Sequence, residues 1–179
     1  MARALKIDND VFADVAMRAP RRKRMASEAV RQGASIEGRA TPAALFLSYV
    51  AAAPLIAAAL AIVADPARSE EWRALMALYG AALIIFFGGV RWGVAVMRAE
   101  GPTFRSLLGA ALPFFFAMPL FVPGPTDWKL PAIMALLLAL LIDDLGATRR
   151  GSGAPAWYLA VRLPLTVLIE VAFLVALIA

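Results

Sequence analysis

Two arginines and two aspartates, Arg91, Arg162, Asp143 and Asp144, stand in or beside runs that are otherwise almost wholly apolar. In apolar surroundings a charge needs a counter-charge, and a carboxylate accepts the two parallel N–H groups of a guanidinium. If the four share one depth they nearly neutralise one another. If one guanidinium is left over, it is suited to a phosphate or another acidic headgroup. Glu170 poses the opposite problem, a lone carboxyl deep in an apolar run. The chain has no histidine and no cysteine, which removes the common general base, the usual haem and zinc ligands, thiol nucleophiles and iron–sulfur ligation. No metal or cofactor is expected, and an intramembrane enzyme lacks any nucleophile–base pair.

The composition says what must position these residues. The chain is 62% hydrophobic and 17% charged, against about 25% charged in an ordinary soluble domain. About 20 apolar residues are needed to cross the hydrocarbon core as a helix. Five blocks meet or approach that length: residues 42–64, 73–97, 104–122, 130–145 (128–145 with Trp128 as its anchor) and 157–179. The connections between them are short and hold the breakers and charges. The expected fold is all-α, an integral membrane bundle of five transmembrane helices over residues 42–179, preceded by a basic arm over residues 1–41.

Charge sets the expected orientation. Nine of the 18 Lys and Arg precede Thr41, and the run Arg21, Arg22, Lys23 and Arg24 is the densest part. Arg98, Arg105, Arg149 and Arg150 fall on the same side, which places the N-terminus in the cytoplasm and the C-terminus in the periplasm. Four tryptophans suit the headgroup level: Trp72 and Trp128 at outer ends, Trp92 and Trp157 at inner ends. The opening stretch carries acids where a signal peptide would be apolar, so no cleavage is expected. For the arm two readings stand: anchoring to anionic lipid at about 1 kcal/mol per basic residue, or docking onto a partner.

Helical rise gives depth. Arg91 precedes Arg98 by seven residues, roughly 10 Å below the inner interface, and Arg162 lies about 7–8 Å deep. Asp143 and Asp144 close the fourth span on the same side. Either Arg91 or Arg162 is expected to bridge to either aspartate. That layer either clamps three helices or binds a lipid phosphate. Tyr158, Arg162, Thr166 and Glu170 recur every four residues, a polar stripe along the fifth span. Glu170 is about 20 Å from the start of that span. It is expected to be protonated and hydrogen-bonded in the bundle, to meet another chain, or to handle protons.

Gly80, Gly88, Gly89 and Gly93 form a small-residue face on the second span, with a GxxxG pair at Gly89 and Gly93. Such faces let helix backbones approach closely in lipid. Pro54, Pro113, Pro119 and Pro164 are expected to kink their spans.

The strings "YGAALIIFFGGVRWGVAV" and "PAWYLAVRLPLTVLI" resemble a specific family of small multi-span proteins, domain of unknown function 3429, which includes transmembrane protein 69. The resemblance covers residues 42–175. It rests on Gly-Gly-x-Arg-Trp-Gly, here Gly88 to Gly93, and on Trp157, Tyr158, Arg162, Leu165 and Thr166. Where the family often has Ser-Phe-Leu before the glycines, this chain has Ile85, Phe86 and Phe87. The resemblance implies a bacterial inner-membrane location and no established activity.

The leading functional expectation is a non-enzymatic accessory subunit or assembly partner of a larger, energy-transducing membrane complex, held by helix–helix contacts. Its partners would be other membrane subunits and anionic lipids, not nucleic acid. The alternative is a small transporter or lipid-binding protein that uses the charged layer. That alternative requires a cavity between the second, fourth and fifth spans and one arginine left unpaired.

Overall fold

The computed structural model describes residues 40–151, 154 and 156–179. The chain divides into two units, Met1–Arg39 and Ala40–Ala179, and every described residue belongs to the second. The basic run Arg21, Arg22, Lys23 and Arg24 therefore lies outside the described residues.

Local chemistry sets where each helix starts and stops. Helix α1 spans Pro42–Ala64, with Pro42 in its first turn and the Thr41 hydroxyl accepting from the Ala44 N–H at 3.2 Å. The hydroxyl satisfies one orphan donor, and Pro42 has no N–H to satisfy. A short 3-10 turn, Pro66–Arg68, leads into α2, Ser69–Val96. Helix α2 starts four residues before the apolar run at Arg73, because Glu70 and Glu71 in its first turn suit the positive end of the helix dipole. Helix α3, Phe104–Ala117, opens on a capping box between Thr103 and Ser106 and runs on into a 3-10 segment, Met118–Phe121, which contains Pro119. Helix α4 is Lys129–Arg149 and α5 is Ala156–Ile178. Helix α4 continues past Asp144 for more than a turn and ends before Gly151, whose φ of +67° favours glycine. Pro54, Pro113 and Pro164 all sit inside helices that continue through them.

The five helical segments are each long and apolar enough to cross a membrane, and no strand occurs among the described residues. Helices α1, α2, α4 and α5 form a closed ring, each packed on the next and α5 back on α1. Helix α3 lies outside the ring against α2. The interior holds Leu55 and Ile62 from α1, Met76 and Ile84 from α2, Ile133 and Leu137 from α4, and Ile169 and Phe173 from α5, all essentially inaccessible.

Hydrogen bonds tie the ring at the end where α2 and α4 begin. The Arg73 Nε donates to the Ala176 carbonyl at 2.9 Å, which satisfies one of the orphan acceptors at the C-terminus of α5. The buried Thr126 hydroxyl donates to Glu70 Oε1 at 2.9 Å, and Lys129 Nζ donates to the Val122 carbonyl at 2.6 Å. Midway along α1, the Tyr79 hydroxyl donates to the Ala51 carbonyl at 2.7 Å.

Two of the four small-face glycines lie at close approaches. A Cβ on Gly80 would stand 2.7 Å from both the Ile133 and Phe173 side chains. On Gly88 it would meet the Ala110 carbonyl at 3.0 Å and Pro113 at 3.1 Å, where α3 crosses α2. The GxxxG pair behaves otherwise, and packing at Gly89 and Gly93 within the chain is corrected. Nothing lies within 4 Å of a Cβ at either position. They face outward because the ring contacts of α2 fall on the Gly80 side of the helix.

Gly80→Val should therefore destabilise the bundle by about 1–3 kcal/mol through overpacking. Gly89→Ala should be neutral or stabilising by up to about 1 kcal/mol, since alanine is the better helix former. Thermal unfolding of the purified chain in detergent distinguishes the two.

Candidate functional site

At the opposite end of the ring the four charged residues meet. Arg91, on α2, donates from Nε to Asp144 Oδ1 at 2.7 Å and from Nη2 to Asp143 Oδ2 at 2.6 Å. The same Nη2 also donates to the Leu140 carbonyl at 3.2 Å. One guanidinium on α2 thus grips three groups on the last turns of α4. The second oxygen of Asp144 faces Arg162 of α5, Nε to Oδ2 at 3.7 Å, an ion pair too long to be a hydrogen bond. Asp144 is shared by two arginines from different helices.

The two aspartates differ sharply in environment. The Asp143 side chain is 62% exposed, whereas Asp144 is 11% and Arg91 16% exposed. The Arg162 side chain is fully buried, and none of its three nitrogens has a hydrogen-bond partner among the described residues. Its remaining support is aromatic. The Arg162 Cζ stands 3.1 Å from the centre of the Phe87 ring, within the range where a ring face attracts a guanidinium. The sequence reading gives Phe87 no place in the charged layer, although it lies one turn before Arg91 on the same face of α2. The i,i+4 spacing is the signal that could have found it.

The rest of the polar stripe follows the same face of α5. The Thr166 hydroxyl donates to the Arg162 carbonyl at 2.9 Å and is buried. Tyr158 is half-buried, packed edge-on against Trp157 with ring centres 6.4 Å apart. Both Glu170 carboxyl oxygens are buried without a hydrogen-bond partner among the described residues. The tryptophans fall at two ends. Trp72 is half-buried under Arg68, whose Cζ is 5.9 Å from the ring, and Trp128 is exposed just before α4. Trp92 and Trp157 sit at the end that carries the charged layer, where α2 finishes and α5 starts.

A cavity of about 730 Å³ opens beside the layer. The expected walls were the second, fourth and fifth spans. The observed walls are α2, α3 and α4, with Tyr158 as the contribution of α5. Arg91, Arg98, Arg105 and Arg150 line it together with Asp143 and Asp144. Arg105 and Arg150 make no ion pair among the described residues. Val90, Val94, Leu108 and Leu112 supply an apolar wall. Thr103 and Ser106 also line the space, so the positive end of the 14-residue α3 faces it. Arg162 is not part of the lining. It is sealed behind Asp144 and Phe87.

The two aspartates should respond differently to neutralisation. Asp144→Asn leaves the buried Arg162 without its anion and should cost about 3–5 kcal/mol. Asp143→Asn removes an exposed pair and should cost under about 1 kcal/mol. Thermal unfolding of both variants in one detergent gives the comparison, and equal losses would contradict the division.

No curated protein and no solved structure matches the chain. The model of one family, described as a protein of unknown function (DUF3429), matches residues 40–178. That match takes in all five helices, the charged layer and the cavity, and the chain belongs to the DUF3429 family.

Proposed function

We propose that this chain is a multi-pass membrane protein that binds the anionic headgroup of an acidic amphiphile in the basic cavity, acting by binding rather than by catalysis. The observation that carries this is the cavity itself, lined by guanidiniums, a helix N-terminus and aliphatic side chains together. A headgroup bearing phosphate or carboxylate is complementary to the guanidiniums, and acyl chains to the aliphatic side chains. By the distribution of basic residues the cavity faces the cytoplasmic leaflet, and by family resemblance the membrane is a bacterial inner membrane. Arg105 and Arg150, which have no ion-pair partner among the described residues, are the residues that first attract the headgroup.

The test uses the full chain in nanodiscs of phosphatidylcholine, titrated with phosphatidic acid. Saturable binding that weakens as salt is raised is expected. Arg105→Gln combined with Arg150→Gln should lower affinity about tenfold or more, at about 1.5–3 kcal/mol for the lost charge-assisted bonds. Equal retention of acidic and zwitterionic lipid, or binding indifferent to both substitutions, would refute the reading.

Membership of a larger complex is a second reading, favoured by the outward Gly89 and Gly93, against which nothing among the described residues packs. A helix of another subunit could approach closely there. Replacing both glycines with leucine should then abolish co-purification of that subunit while leaving the isolated chain folded. Unchanged co-purification would remove the support.

A further inference from the structure

The charged layer is electrically balanced, with Arg91 and Arg162 against Asp143 and Asp144. An acidic group that reaches Arg91 in this state meets Asp143 already 2.6 Å from the nitrogen it needs, with Asp144 on the other side of the same guanidinium. Like charges packed at that range disfavour the arrangement. One carboxylate has to leave, and the environments say which. Asp144 is nearly buried and serves two arginines, so releasing it strands Arg162. Asp143 is mostly exposed and serves one, and an exposed ion pair contributes little to stability. When Asp143 leaves, Arg91 keeps Asp144 and the Leu140 carbonyl as acceptors. Its Nη2 is then offered to the cavity that both residues line.

We propose that the occupant's acidic group takes the place of Asp143 on Arg91, so that Asp143 is a built-in competitor for the site and Asp144 the fixed anion behind it. This rests on the cavity being a headgroup site. The chemistry recognised is that of a phosphate-type anion, whether it arrives on a lipid or free in solution. Asp143 thereby sets affinity. A group too weakly acidic to displace a carboxylate is left outside, and a phosphate is admitted.

The experiment compares wild type, Asp143→Asn and Asp143→Glu, each as the full chain in phosphatidylcholine nanodiscs. One arm adds phosphatidic acid and the other inorganic phosphate. Removing the competitor in Asp143→Asn should tighten binding about two- to fivefold, the range that corresponds to an exposed ion pair. Asp143→Glu, which retains a competing carboxylate, should stay near wild type. In the wild-type chain, carbodiimide labelling of Asp143, read by mass spectrometry, should rise as ligand is added, because the carboxylate is released from Arg91. Binding by wild type with no tightening in Asp143→Asn, or with labelling that falls, overturns the exchange and leaves the cavity reading intact. No response to either probe in any of the three chains overturns both. Response in the phosphate arm as well as the lipid arm places recognition in the headgroup alone, and response to lipid alone adds the acyl chains to it. Either supports the exchange where the tightening and the rise in labelling accompany it.

Discussion

Asp144 is the anion on which two helices close. Arg91 approaches it from α2 at 2.7 Å and Arg162 from α5 at 3.7 Å, while the aspartate itself belongs to α4. A guanidinium with no water around it needs a counter-charge or a ring face, and Arg162 has one of each in Asp144 and Phe87. The helix rotations follow from this. Helix α2 must turn both Phe87 and Arg91 toward α4 and α5, and that rotation points Gly80 into the ring and Gly89 away from it.

The two ends of the ring solve their polar problems differently. Where α2 and α4 begin, the contacts that join one segment to another are hydrogen bonds, from Arg73 to the Ala176 carbonyl and from the Thr126 hydroxyl to the Glu70 carboxylate. They satisfy helix ends and leave the interior apolar. Where these helices finish, the contacts are ion pairs, and a cavity stands beside them. Helix α3 makes the difference, because it packs on α2 at Gly88 through Pro113 and so leaves its N-terminal turn facing the gap. A larger residue at Gly88 would push that wall outward.

Much of this was legible in the sequence, for identifiable reasons. The five helices follow from apolar runs of bilayer length, and the meeting of Arg91, Arg162, Asp143 and Asp144 follows from counting residues inward from each run's end. Which faces turn inward was not legible. In a soluble helix the polar face marks the outside, but in α2 both faces are apolar, so Gly89 and Gly93 look as suited to packing as Gly80 and Gly88. The neighbour order was hidden as well. Nothing in the spacing says that α3 stands outside the ring, and so the cavity was sought against α5 and is found against α3. Glu170 keeps its strangeness. Its depth was evident from the rise of the helix, and the described residues bring no hydrogen-bond donor to it.

The packing of α5 on α1 joins the first and last helices of the ring. During synthesis the helices emerge in chain order, so α1, α2 and α4 wait as an open trough until α5 arrives. Through that interval Asp144 has only Arg91, and Gly80 faces a vacant groove where Phe173 will sit. The final helix is therefore a keystone. It brings the buried arginine together with the aromatic ring and the anion that shelter it, and its contacts with α1 and α4 are the ones that close the body.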